Sequence, residues 1–166
     1  VIVPLMRRVG EAWTKDQLRI SHEHIISGQL RSLLGTLMRH TEPKAGAPRI
    51  IVATPPRHLH EFGAIIGAFM AASRGYEPIY LGTHMPFDEI SYAADQAGAS
   101  VILLSVARDC EPGEHTSLIG GIEKLARKHE VWLGLPEGHQ LAGYSLPVKL
   151  LAQYEDLDAL LSNQIG

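Results

Sequence analysis

Apolar positions change their rhythm along this chain. Up to residue 42 they recur at helical spacing with no strand signal. Leu5, Val9 and Trp13 step by four and share one face of a first helix. Thr14 and Gln17 form a T-x-x-Q capping box, which starts a second helical segment near Lys15, and Ser21 offers a further start inside it. Ile26, Leu30, Leu33 and Leu37 then step by four, three and four, again one helical face. Residues 41–48 hold two prolines and a glycine with no apolar period, as a linker does.

From residue 48 the pattern alternates. Strands are expected at Ile50–Thr54, Pro78–Leu81, Val101–Ser105 and Val131–Leu133, with a weaker one around Tyr144–Val148. Helices are expected at Phe62–Ser73, Phe87–Gln96, His115–His129 and Tyr154–Asn163. The run Val101–Ser105 is almost wholly apolar, as befits a strand covered on both faces. Strands alternating with helices at this spacing imply a parallel sheet. The expected class is α/β: a helical-bundle cap over residues 1–42, then a doubly wound, five-stranded parallel sheet over residues 48–166.

Bulk properties narrow the classes of function. The 166 residues suffice for one domain with a small cap. A formal charge of −3 argues against a nucleic-acid surface within this segment. The lone Cys110 excludes a disulfide framework and any multi-cysteine metal site, in keeping with a reducing cytoplasm. No signal peptide is expected from the residues at the start of this segment, and no apolar run reaches the roughly 18–20 residues that span a bilayer. The chain starts on Val1 inside a helical pattern, so it is expected to be a piece of a longer protein or a processed one.

The candidate chemistry lies just after the first strand. No G-x-G-x-x-G, P-loop or G-x-S-x-G is present. The loop Pro55–Glu61 instead carries His58 and His60, with Gly63 three residues after His60. Ligands of open α/β sheets bind beyond the carboxyl ends of the strands, where this loop falls. A histidine there can bind a metal through one ring nitrogen while a neighbour orients the other. A plainer reading makes His60 a polar loop residue capping the next helix and His58 an exposed loop histidine. A zinc site from this pair would need a third ligand. Trp13 fits core packing, Glu23 and His24 a solvated helix face, Ser105 a strand end and Gly134 a turn.

The H-x-x-G of His60 and Gly63 resembles the core of the cobalamin-binding motif D-x-H-x-x-G. Ser105 at the end of the third strand and Gly134 after the fourth resemble that family's S-x-L…G-G signature. Trp13, nine residues, then Glu23 and His24 resembles the cap signature W-x9-E-H-H of MerR-type, light-sensing, adenosylcobalamin-dependent transcriptional regulators. The resemblance covers essentially the whole chain. It implies that His60 binds cobalt from below, that Ser105 and Gly134 line a slot for the nucleotide tail, that Trp13 and Glu23 cover the upper face and contact the adenosyl group, and that Gly63, His24 and His58 belong to the same cofactor-binding set. It further implies a non-enzymatic sensor that forms a homo-oligomer, a dimer or tetramer, and meets DNA through a domain upstream of this chain.

The sequence departs from the pattern at five places. His58 stands where the family has the aspartate that orients the ligand histidine. Ala107 replaces the leucine of S-x-L, Leu135 the second glycine, Ile25 the last histidine of the cap signature, and Thr14 the histidine that follows the tryptophan in the photoreceptors. Two other readings stay open. One is a corrinoid shuttle passing a methyl group between partners. The other is a degenerate domain that binds haem or no cofactor and acts through protein contacts.

Overall fold

A computed structural model describes residues 20–40, 45–108 and 113–163. The first helical face (Leu5, Val9, Trp13), the Thr14–Gln17 box and Cys110 lie outside them. Helix α1 (Ile20–His40) leads into β1 (Arg49–Ala53), α2 (Phe62–Ser73), β2 (Glu77–Gly82), α3 (Phe87–Ala97) and β3 (Val101–Ser105). Then come α4 (Glu114–Ala126), β4 (Glu130–Gly134), a 3-10 turn at Gln140–Gly143, β5 (Lys149–Leu151) and α5 (Tyr154–Asn163). The five strands pair in parallel in the order β2-β1-β3-β4-β5. That is the doubly wound α/β sheet expected, and its order reverses between β1 and β3.

Strand periodicity sorts the core into two layers. Ile50, Val52, Leu103 and Trp132 face α2, α5 and α1. Ile51, Ala53, Ile102, Leu104, Val131 and Leu133 face α3 and α4. Both faces are covered, which is why β1 and β3 are continuous apolar runs. Helix α1 joins the first layer through Ile26, Leu30 and Leu34. Local sequence fixes the helix ends. Helix α3 follows Pro86, has Asp88 and Glu89 in its first turn and stops at Gly98, whose φ of 60° is left-handed.

Four expectations need correcting. The buried stripe of α1 passes through Leu34 (2% exposed), not Leu33 (43% exposed), because steps of four from Ile26 and Leu30 hold the line against α2, and the side chain of Leu37 lies outside the described residues. The fifth strand is Lys149–Leu151, not Tyr144–Val148; the 3-10 turn, begun by His139 Nδ1 accepting from Leu141 N, delays it. Helix α4 runs Glu114–Ala126, since Gly113 in a left-handed conformation lets it start one residue early. Ser21 lies inside α1 and does not precede it. Among the described residues no helix is long and apolar enough to cross a membrane.

Candidate cofactor-binding site

The loops after β1 and β2 meet at the carboxyl edge of the sheet, tied by Thr54. Its hydroxyl donates to the His58 carbonyl and accepts from His84 N at 3.0 Å, and its own carbonyl accepts from Met85 N at 3.0 Å. Arg57 N donates to His84 Nδ1 at 2.7 Å. Arg57 (φ 69°) and His84 (φ 57°) are both left-handed without being glycine. Such backbone persists only where its surroundings over-determine it, and it gathers at functional sites.

His58 is buried at 3% exposure, so the expectation of an exposed loop histidine is overturned. It borders a cavity of about 300 Å³ whose wall also includes Pro56, Phe87, Glu114 and Leu118, on the side of α3 and α4. Glu114 forms ion pairs with Arg57 Nε at 2.5 Å and Arg108 Nη2 at 3.2 Å, and Arg108 also donates to the Arg57 carbonyl at 3.1 Å. Burial, then the nearby Arg108 guanidinium, holds the His58 imidazole down to about 4. It is a neutral ring whose buried Nδ1 has no hydrogen-bond partner among the described residues. His139 is buried too; its Nδ1 accepts from Leu141 N, so Nε2 carries the proton donated to the Arg108 carbonyl at 2.8 Å.

The other residues lie on the α2 side. His60 is half-buried and Gly63 is the second residue of α2. A Cβ on Gly63 would stand 2.6 Å from Ser105 Oγ, so helix and strand end touch here with no room for a methyl group. Ser105 pairs in register with Gly134. At Gly134 a Cβ would meet nothing closer than the Leu104 carbonyl at 3.6 Å. The fold's own packing therefore does not demand glycine at 134. Gly63, Ser105 and Gly134, distant in sequence, thus meet at the carboxyl ends of β3 and β4, and His60 precedes Gly63 by three residues in the loop after β1.

No family model matches the chain. It is 28% identical over 167 residues to the HTH-type transcriptional repressor CarH of Myxococcus xanthus, a match covering 96% of this chain and 54% of that protein. It is 26% identical over 162 residues to the repressor CarA of the same organism, again covering 96% and 54%. The chain is a distant homologue of CarH and CarA. It spans about half the length of these curated relatives. Among solved structures, a cobalamin-binding protein from Desulfitobacterium hafniense DCB-2 matches with a TM-score of 0.56 at 18% identity, over 97% of this chain and 78% of that one. The Methanosarcina barkeri monomethylamine corrinoid protein matches with a TM-score of 0.60 at 12% identity, over 95% and 77%. The fold is that of cobalamin-binding proteins.

The departure at Leu135 falls on the opposite layer from Gly134. Leu135 is 7% exposed and packs in the core beneath α3 and α4, so it does not crowd Ser105 and Gly63. Trp13 lies outside the described residues, as does the side chain of Glu23. His24 is exposed on α1. Seven residues on, Arg31 shares its helical side and pairs with Glu61 Oε1 at 3.3 Å. Glu61 Oε2 accepts from the Tyr80 hydroxyl at 2.6 Å. Among the described residues no group of three or more His, Cys, Asp or Glu is placed to hold a metal, so the zinc reading gains no third ligand. Sequence reasoning missed Glu61, Tyr80, Arg108, Glu114 and His139. Only Glu61, beside His60, carried any local signal.

Proposed function

We propose that this chain is the cobalamin-binding sensory domain of a CarH-like transcriptional repressor. The close packing of Gly63 on Ser105 beside His60 carries this reading. A corrinoid's tail needs a slot floored by backbone, and only a glycine brings helix and strand end so near. His60 would hold cobalt through its imidazole, with Gly63, Ser105 and Gly134 along the tail. His58, neutral and turned towards α3 and α4, leaves the place of an orienting carboxylate unfilled and adds no positive charge beside the metal. The cap, residues 1–42, would bring Trp13, Glu23 and His24 over the α/β domain, residues 48–166. When bound, adenosylcobalamin supplies a cobalt–carbon bond that light can break. The chain's part is to prefer one assembly, a dimer or tetramer, in the loaded state; that preference shifts the population. DNA would be met by a segment beyond these residues, in the cytoplasm.

The test is to load the chain with adenosylcobalamin in the dark, remove free ligand, and record absorption and size before and after green light. A retained chromophore, a larger dark assembly and its collapse in light support the reading, and His60→Ala should lose the chromophore. Retention with no change of size favours the corrinoid shuttle, the reading that the similarity to the Methanosarcina corrinoid protein supports. No retention leaves an interaction module.

A further inference from the structure

Glu61 directly follows His60 and opens α2, its carbonyl accepting from Ile65 N at 2.9 Å. A glutamate at a helix start commonly bonds the free amides of the first turn. This one makes no such side-chain cap. Its two oxygens serve two other elements instead. Oε2 takes the Tyr80 hydroxyl of β2 at 2.6 Å, and Oε1 pairs with Arg31 Nε of α1 at 3.3 Å. The Glu61 side chain is only 12% exposed, while Arg31, at 53%, reaches it from the solvent side. A carboxylate this far from water is costly to leave unpaired, so breaking either contact penalises the arrangement. Burial, reinforced by the Glu61 carboxylate, raises the Tyr80 phenol far above its ordinary range and keeps it a neutral donor.

We propose that Glu61 is a positioning residue that fastens the His60 loop to helix α1, so that a ligand on His60 and the position of the cap are coupled through this carboxylate. The ligand half of this inference rests on the reading of His60 given above. Adjacent Cα atoms lie about 3.8 Å apart, so a displacement of the His60 backbone is passed in part to Glu61. A shift of Glu61 then loads its contact with Arg31, on the helix that also rests on α2 through Ile26, Leu30 and Leu34.

The experiment compares the whole chain with Glu61→Gln, Tyr80→Phe, Arg31→Gln and the Arg31/Glu61 double variant, by amide hydrogen exchange and by binding of hydroxocobalamin. Without cofactor, Glu61→Gln should speed exchange about tenfold in both 57–61 and 20–40 together. Arg31→Gln should add nothing once Glu61 is changed. With hydroxocobalamin, Glu61→Gln should weaken binding about tenfold while the absorption of the bound form keeps its imidazole signature. Exchange in α1 that ignores Glu61→Gln, or additive effects of Arg31 and Glu61, overturns the coupling. Failure of the unaltered chain to retain hydroxocobalamin sinks His60 as ligand. It leaves the exchange comparison standing, and that comparison alone decides whether Glu61 fastens the loop to the helix.

Discussion

Gly63 and Ser105 occupy one another's space: the point a Cβ would take on the glycine lies 2.6 Å from the serine oxygen, but 3.8 Å from the serine Cβ. Gly63→Ala should therefore destabilise the chain by about 1–3 kcal/mol through overpacking. Ser105→Ala in the same chain should recover most of this, because the remaining contact is ordinary and alanine favours the helix. Urea midpoints of the two single variants and the double variant measure the coupling. Additive effects would show that the two residues do not touch.

Two neighbouring glycines of α4 should respond with opposite signs. A Cβ on Gly120 meets nothing within 4 Å, whereas one on Gly121 would stand 2.1 Å from the Phe87 ring. Gly120→Ala should raise stability by about 0.5–1 kcal/mol. Gly121→Ala should lower it by about 1 kcal/mol, the small end of overpacking costs, because Phe87 borders the cavity beside His58 and can turn into it. Thermal melts of the two variants decide this; equal shifts would contradict the packing of α4 on Phe87.

Placing a glycine at 135 should harm the fold without aiding a ligand. Leu135 belongs to the core under α3 and α4. Leu135→Gly should cost about 3–5 kcal/mol for the lost side chain and the added backbone freedom. Tighter retention of cobalamin by this variant would place Leu135 on the slot after all.

Stability should fall in mild acid. The folded pKa of His58 is lowered to about 4, chiefly by burial, and that of His129 is lowered, also chiefly by burial. Between these values and the ordinary 6.5 the unfolded chain binds protons that the fold refuses. The histidines' contribution is thus whole above about 6.5 and drains away as pH drops towards the folded values. For His58 the loss is on the order of 3 kcal/mol by pH 4. His58→Gln should flatten the curve between pH 6.5 and 5, read from urea midpoints; parallel curves would mean that His58 is not held neutral.

The sequence was most legible where one local rule decided the outcome. Arg49–Ala53 and Val101–Ser105 are strands because both faces are buried, and apolar β-branched runs say so directly. Strand β5 was illegible for the opposite reason: Lys149 and Leu150 are exposed and only Leu151 is buried, leaving no pattern to find. His60, Gly63 and Ser105 could be picked out because their spacing resembles a known motif. The burial of His58 could not, since it depends on Arg108, Glu114 and Leu118 arriving from elsewhere in the chain. Glu61 looked like a spacer between two motif residues, because its partners sit on α1 and β2.

The two loops joined at Thr54 have a consequence for transplanting this site into another scaffold. Arg57 N relies on the His84 ring, and His84 N relies on the Thr54 hydroxyl and the His58 carbonyl. Moving residues 55–61 alone would strand one side of each of these bonds and leave two left-handed residues without the contacts that hold them. The smallest portable cassette is therefore discontinuous, 54–61 together with 82–85, and a recipient must bring two adjacent parallel strands to the same height to receive it.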